Sequence, residues 1–299
     1  MQNPIRSVAR RLLTTESEWN PKVMVGRAVV CVLPDRLLHS LKKAYYCRLV
    51  RYLPKDFLET DALLVKHLVS AGDQVVDVGA SIGCFTKLLS ELVGELGRVY
   101  SFEPTAATFD FLSNNVRRLG LQNVELLNCA VSDTEGTGTM VIPTYRWGSE
   151  CYYDARLETA QIYGGHKSVN PSWRSFQVRT RTLDAVFGNG GTQISFIKCD
   201  ADFHELAILR GALRTLRHSK PALLIEIAPN PDDQESSAFE TFALLRSEGY
   251  QPYCFDGTTL HPRRLGERSQ NYFFLTPPHV AALQEKGVLR LLGAHSGGG

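Results

Sequence analysis

An α/β fold built on a mostly parallel sheet is the architecture this sequence predicts, and three observations predict it. From about residue 72 the chain alternates short apolar runs with helical hydrophobic periods. The first of these runs, Gln74–Val78, feeds a turn with glycines four apart, Gly79 and Gly83, and then a helical period. A later period is punctuated by Pro104 near its start and Gly120 past its end, the usual asymmetry of helix termini.

In order, Gln74–Val78 reads as the first strand, and Phe85, Leu88, Leu89 and Leu92 place an apolar face on the helix that follows. Arg98–Phe102 is a second strand, followed by a helix from Pro104 to near Gly120. Val124–Asn128 and Gln193–Cys199 make the third and fourth strands, and one helix from about Phe203 to Leu216 leads to a fifth, Ala222–Ile227. Ser236–Ser247 is helical, and Pro252–Phe255 and Tyr272–Leu275 are the last strands, the second a candidate for antiparallel pairing. Between strands three and four lies a long insertion, residues 134–182, with two extended pieces, Gly138–Ile142 and Phe176–Thr182. Within it, residues 145–176 hold seven aromatics (Tyr145, Trp147, Tyr152, Tyr153, Tyr163, Trp173, Phe176), which argues against disorder. A lid or substrate wall and a hairpin packing its rings on the domain both account for it. Ahead of the sheet, Arg36–Tyr52 and Asp61–Val69 read as amphipathic helices.

Composition narrows the function. With 43% hydrophobic and 21% charged residues, a full core can form. The 33 Lys and Arg nearly balance 31 Asp and Glu, which argues against a nucleic-acid binder. The balance is uneven, because residues 1–70 carry 12 basic and 6 acidic side chains. Seven scattered cysteines without a C-x-x-C pair point to free thiols and a reducing, cytoplasmic compartment. No apolar run reaches the ~18–20 residues of a membrane span. Ile5, Val8 and Leu12, with Arg6, Arg10 and Arg11, fit either an ordinary first helix or a mitochondrial presequence.

The segment Val75–Phe85 (VVDVGASIGCF) carries the most chemistry. Glycine at 79 and 83 lets backbone approach a ligand, and the helix N-terminus behind the turn favours an anionic group. Glu103 stands 20 residues past Gly83, at the end of the next strand, where an acid can accept both ribose hydroxyls of an adenosine ligand. Three functions compete. A dinucleotide fingerprint fails because position 81 is Ser. The hydrolase elbow G-x-S-x-G is matched by Gly79–Gly83, yet such an elbow follows several earlier strands and leaves Glu103 without a role. S-adenosylmethionine binding uses Asp77, the glycines and Glu103 together.

In that segment, and in Phe102-Glu103-Pro104, Asn114-Asn115-Val116, Ala130–Asp133, Thr182-Leu183-Asp184, Ile197–Glu205, Leu209–Ala212 and Leu224–Ile227, the chain resembles the FkbM-type methyltransferases. The likeness runs from about Leu63 to Leu275 in unbroken order. It implies a class I methyltransferase fold with a seven-stranded Rossmann-like sheet, S-adenosyl-L-methionine as cofactor, and O-methylation of a sugar, glycolipid or natural product. It implies that Asp77, Gly79, Ala80, Ser81 and Gly83 shape the methionine side of the cofactor site. Glu103 and Pro104 would hold the ribose, Cys129 and Ala130 would face the adenine, and Asp200 would close the site.

One loop departs from the family pattern Lys-Ile-Asp-Val-Glu-Gly-x-Glu. Here it reads Lys198-Cys199-Asp200-Ala201-Asp202-Phe203-His204-Glu205, with Phe in place of Gly. A Phe is not expected to adopt a positive φ, so the turn should differ or never have needed one. Asp202 and His204 are candidate general bases, Asp200 a binding group, and Lys198 a positioning group. A polar helix start capped by Asp200 or Asp202 explains the same residues. Glu226, within a strand, is expected to have a structural partner rather than a metal.

The expected organisation is an N-terminal helical extension (1–60), a methyltransferase domain (61–293) and a flexible tail (294–299). The expected partner is a small-molecule or glycan acceptor, with peripheral membrane contact through the basic front segment and no nucleic acid. A catalytically silent cofactor-binding scaffold of the same fold is the alternative.

Overall fold

The computed structural model describes residues 34–52, 60–144, 155–158 and 172–288. The expectations for residues 1–33 (the presequence reading among them), for Tyr145, Trp147, Tyr152, Tyr153 and Tyr163, and for the tail lie outside these residues. Helices α1 (Asp35–Arg51) and α2 (Ala62–Leu68) precede the sheet. Then come β1 (Gln74–Val78), α3 (Cys84–Val93), β2 (Arg98–Phe102), α4 (Ala106–Leu119) and β3 (Val124–Leu127). After the insertion follow α5 (Leu183–Phe187), β8 (Ile194–Cys199), α6 (Glu205–Arg210), α7 (Leu213–Ser219) and β9 (Ala222–Glu226). The chain closes with α8 (Ser237–Ser247), β10 (Gln251–Phe255), β11 (Leu260–Pro262), β12 (Asn271–Leu275) and α9 (Pro277–Glu285).

The main sheet has the order β11-β10-β12-β9-β8-β1-β2-β3. Strands β3, β2, β1, β8 and β9 are parallel, whereas β12, β10 and β11 pair antiparallel. Both faces are covered. Along β12, Tyr272 and Phe274 enter the core on one face with Leu216, Phe242 and Leu245, while Phe273 and Leu275 enter that on the other with Leu64, Leu89 and Val93. Strands buried on both sides read as continuous apolar runs, which is why β9 was legible as a run without alternation. The order reverses between β1 and β8, and an open α/β sheet forms its crevice at the carboxyl ends beside such a switch point.

Four sequence expectations are corrected. The main sheet has eight strands, not seven, because the Asp256 carboxylate accepts the backbone N–H groups of Thr258 and Thr259 and turns the chain back into β11. The helix after β2 starts at Ala106 rather than Pro104, since Glu103 captures the Thr105 N–H at 2.9 Å and delays the first turn. The single helix Phe203–Leu216 is two, α6 and α7. Asp184 caps the second by accepting from the backbone of Arg214 and Thr215 at 2.9 and 2.8 Å. The insertion is not irregular throughout. Its described residues join β4 (Ala130–Val131), just ahead of the insertion, in a second sheet with β5 (Gly136–Thr144), β6 (Arg156–Leu157) and β7 (Ser172–Arg181), ordered β4-β7-β5-β6. Strands β5 and β7 pair from Gly136↔Thr180 to Thr144↔Ser172 and close over Ala130, Met140, Leu157 and Val178.

Candidate active site

A cleft of about 1230 Å³, open mouth included, lies at the carboxyl edge of β1, β2 and β8. Its walls come from the turn after β1 (Gly79 to Ile82), the turn after β2 (Glu103 to Thr105), Cys129 to Val131, the β8 loop (Lys198 and Asp200 to Asp202) with His204, and the insertion (Met140, Ala155 to Leu157).

The glycine turn is shaped by protein contacts. Gly79 sits at φ 75°, and a Cβ there would lie 1.9 Å from the Asp200 backbone oxygen. Gly83, at φ 94°, would bring a Cβ to 2.8 Å from a Leu112 methyl group. In both cases the missing side chain makes room for another part of the fold, which refines the expectation that it makes room for ligand. Asn115 donates its amide to the Ile82 carbonyl at 2.9 Å and ties the turn to α4.

Glu103 is buried and bridges two loops. Its oxygens accept the Ser81 N–H at 3.0 Å and the Thr105 N–H at 2.9 Å. Burial pushes its carboxyl up to about 7 against the pull of those donors. The residue lines the cleft, and a carboxylate there suits a ribose diol.

Asp77 is wholly buried behind the wall. Thr86 donates to one oxygen at 2.7 Å, while the other has no hydrogen-bond partner and faces the Lys198 ammonium at 3.8 Å. Burial raises its carboxyl, and Lys198 opposes the rise. The Lys198 ammonium also stands 3.3 Å from Asp200 and 3.4 Å from the Gly79 carbonyl, so it joins β1 and β8 at the mouth of the switch point. Acids at 77, 103 and 200 around one lysine suit a cationic sulfonium ligand bearing an ammonium and a diol.

In the β8 loop the structure overturns the expectation for Phe203. Phe203 lies at φ 73° and Asp202 at φ 48°, so this turn takes a positive φ without a glycine. The buried Glu205 makes this possible by accepting the N–H groups of Ala201 and Phe203 at 3.3 and 3.2 Å. Burial, reinforced by Asp202 and Asp200, pushes Glu205 up to about 8. The helix cap expected at Asp200 or Asp202 falls instead on His204, whose side chain makes no cap hydrogen bond. That ring is buried in the cleft wall, 2.9 Å from the Ser132 hydroxyl, which donates to Asp133 at 3.2 Å. Burial pushes its pKa down, against the pull of Asp133, so the ring is neutral near pH 7.

The structure therefore gathers Ala80, Ser81, Gly79, Glu103, Pro104, Cys129, Ala130, Lys198, Asp200, Asp202 and His204 around one cleft, with Asp77 and Gly83 behind it. Sequence reasoning missed Ser132, Thr105 and Arg156, which reach the site through loop contacts or the insertion sheet. Arg156 stacks on Trp173 with its guanidinium 4.8 Å from the ring centre. Glu226 has a structural partner, the Gln270 amide at 3.0 Å. Among the described residues every cysteine is free, no group of three or more His, Cys, Asp or Glu could hold a metal, and no helix is long and apolar enough to cross a membrane.

The chain is 25% identical to a protein-L-isoaspartate O-methyltransferase of Methanosarcina mazei, over 32% of this chain and 50% of that protein. A methyltransferase FkbM structure from Methylobacillus flagellatus KT superposes with TM-score 0.41 at 19% identity, covering 68% of this chain and 43% of that one. Aeropyrum pernix fibrillarin with bound S-adenosyl-L-methionine superposes with TM-score 0.41 at 14% identity, covering 71% and 72%. The chain thus spans half the length of the first relative and less than half of the second. The family description "Methyltransferase FkbM domain" matches residues 77–252, more than half of the chain and the whole stretch from the buried Asp77 to β10. The chain belongs to the FkbM methyltransferase family.

Proposed function

We propose that this protein transfers a methyl group from S-adenosyl-L-methionine to a hydroxyl oxygen of a sugar, glycolipid or natural product. The observation that carries the reading is His204, a ring kept neutral by burial in the wall of the cofactor cleft, next to Asp200 and Asp202. The cofactor brings a methyl carbon already activated on a sulfonium, so the protein's work is alignment and proton removal. Glu103 holds the ribose diol, and Lys198 keeps Asp77 and Asp200 in register behind the methionine end. His204 takes the acceptor's proton, and Asp202 is the second candidate for that step. Met140, Ala155 and Leu157 of the insertion exclude water from one side of the cleft.

The test is S-adenosylhomocysteine formation over a panel of sugar and glycolipid acceptors, with and without His204→Gln. The reading expects turnover on a hydroxyl acceptor and a kcat lowered about 10²–10⁴-fold by H204Q, with cofactor affinity unchanged. Methylation of carboxylates alone would sink the O-methylation of hydroxyls. An unchanged kcat in H204Q would remove His204 as the base.

A further inference from the structure

Helix α1 is apolar on two sides. Its inner side packs through Tyr46 and Val50 on Phe111 of α4 and on Ile82, so the helix rests directly behind the cofactor turn, with Ile82 shared between this packing and the cleft wall. His39 and Lys43 fix its angle by gripping the Asp110 carboxylate at 2.6 and 2.8 Å. Three and four residues apart on a helix share a face, and the outer face carries Leu37, Leu41, Tyr45 and, past the end, Tyr52. Their exposures are 48%, 49%, 55% and 64%, so no described residue covers this outward stripe. A solvated helix keeps such residues inside.

Charge identifies the occupant. After Asp35 at its first position the helix bears no acidic residue, and exposed Arg36, Lys42, Arg48 and Arg51 flank the stripe. Arg118 of α4 lies beside them, with Arg51 donating to its carbonyl at 3.2 Å. The one acid at the inner contact, Asp110, is spent on His39 and Lys43. Leucines with tyrosines at an apolar surface, bordered by arginine and lysine whose stems reach outward, form the pattern of a helix lying in the plane of a bilayer interface. We propose that α1 is a docking face for an anionic lipid bilayer, entered by Leu37, Leu41 and Tyr45 and held by the flanking basic residues. This does not rest on the identity of the methyl acceptor. It explains why the basic excess of the chain is concentrated at its front, and it sets the cleft beside the membrane surface through Ile82.

The experiment is co-sedimentation of the full chain with phosphatidylcholine vesicles, with and without phosphatidylserine. The proposal expects binding only with phosphatidylserine, weakening as salt screens it. Leu41→Glu and Tyr45→Glu should each weaken it at least tenfold, with the thermal midpoint and S-adenosylmethionine affinity unchanged. Arg48→Glu with Lys42→Glu should do the same without touching the stripe, and serves if an L41E chain fails to fold. Absence of binding to anionic vesicles would overturn the proposal. So would undiminished binding of these variants, or a dimer in sedimentation equilibrium that L41E dissociates, since a second copy would then cover the face.

Discussion

At Phe203 a bulky L-residue holds a left-handed φ of 73°, a conformation that costs on the order of 1–2 kcal/mol per residue for anything but glycine. Phe203→Gly relieves that strain and Phe203→Ala does not, although both lose the ring. The glycine variant should therefore be more stable than the alanine variant by about 1 kcal/mol in urea unfolding. The positive φ was not legible in the sequence, because the residue type argued against it. What enforces it is the Glu205 carboxyl gripping two backbone N–H groups, a contact spaced two and four residues away. Glu205→Gln keeps the acceptor oxygen and should fold normally, whereas Glu205→Ala leaves those donors unpaired and should cost about 1–3 kcal/mol. The pH dependence has a definite sign. Glu205 and Glu103 hold their protons up to about 8 and about 7 in the fold, but lose them near 4.5 when unfolded. Their contribution to stability is complete below 4.5 and falls as pH rises to 8. Urea midpoints of the wild type should drop over that range, and less so in E205Q. Glu103, by contrast, was legible by position alone: an acid closing the strand after a glycine turn.

Among the elements, those that pack on both faces were the readable ones. Strands β1, β2, β8, β9 and β12 appear where their apolar runs lie, within one or two residues. The short β11 and the break between α6 and α7 were not, since each is set by a carboxylate capping backbone N–H groups rather than by hydrophobic period. The turn joining β1 to α3 was recognised for its glycines, yet the reason for Gly79 is visible only in three dimensions. A methyl group there would strike the Asp200 carbonyl and force the β1 and β8 loops apart. Gly79→Ala should lower stability by more than about 1 kcal/mol, from the left-handed φ alone. It should also abolish S-adenosylmethionine binding by calorimetry. A folded variant with unchanged affinity would show that the turn tolerates movement and does not define the site.

For the whole molecule, the sign of the charge separates two surfaces. The acids at 77, 103 and 200 converge on the crevice at the switch point of the sheet, while basic residues of α1 and the end of α4 lie outside it. The fold class, and the residues that line one cleft, could be read from the order of strands, glycines and acids. Of the insertion sheet, the extended pieces Gly138–Ile142 and Phe176–Thr182 marked β5 and β7, but the joining of both to β4 and β6 was not legible, because two-residue strands carry no hydrophobic period. In the proposed role of holding a ribose diol Glu103 must be ionised, and burial raises it to about 7, so cofactor affinity should fall as pH drops below about 7. The most direct measurement is therefore calorimetric titration with S-adenosyl-L-methionine at pH 8 and pH 6, in wild type and Glu103→Ala. The account predicts binding in the wild type that weakens several-fold at pH 6, and little or none in E103A. Equal affinity in both proteins at both pH values would contradict it.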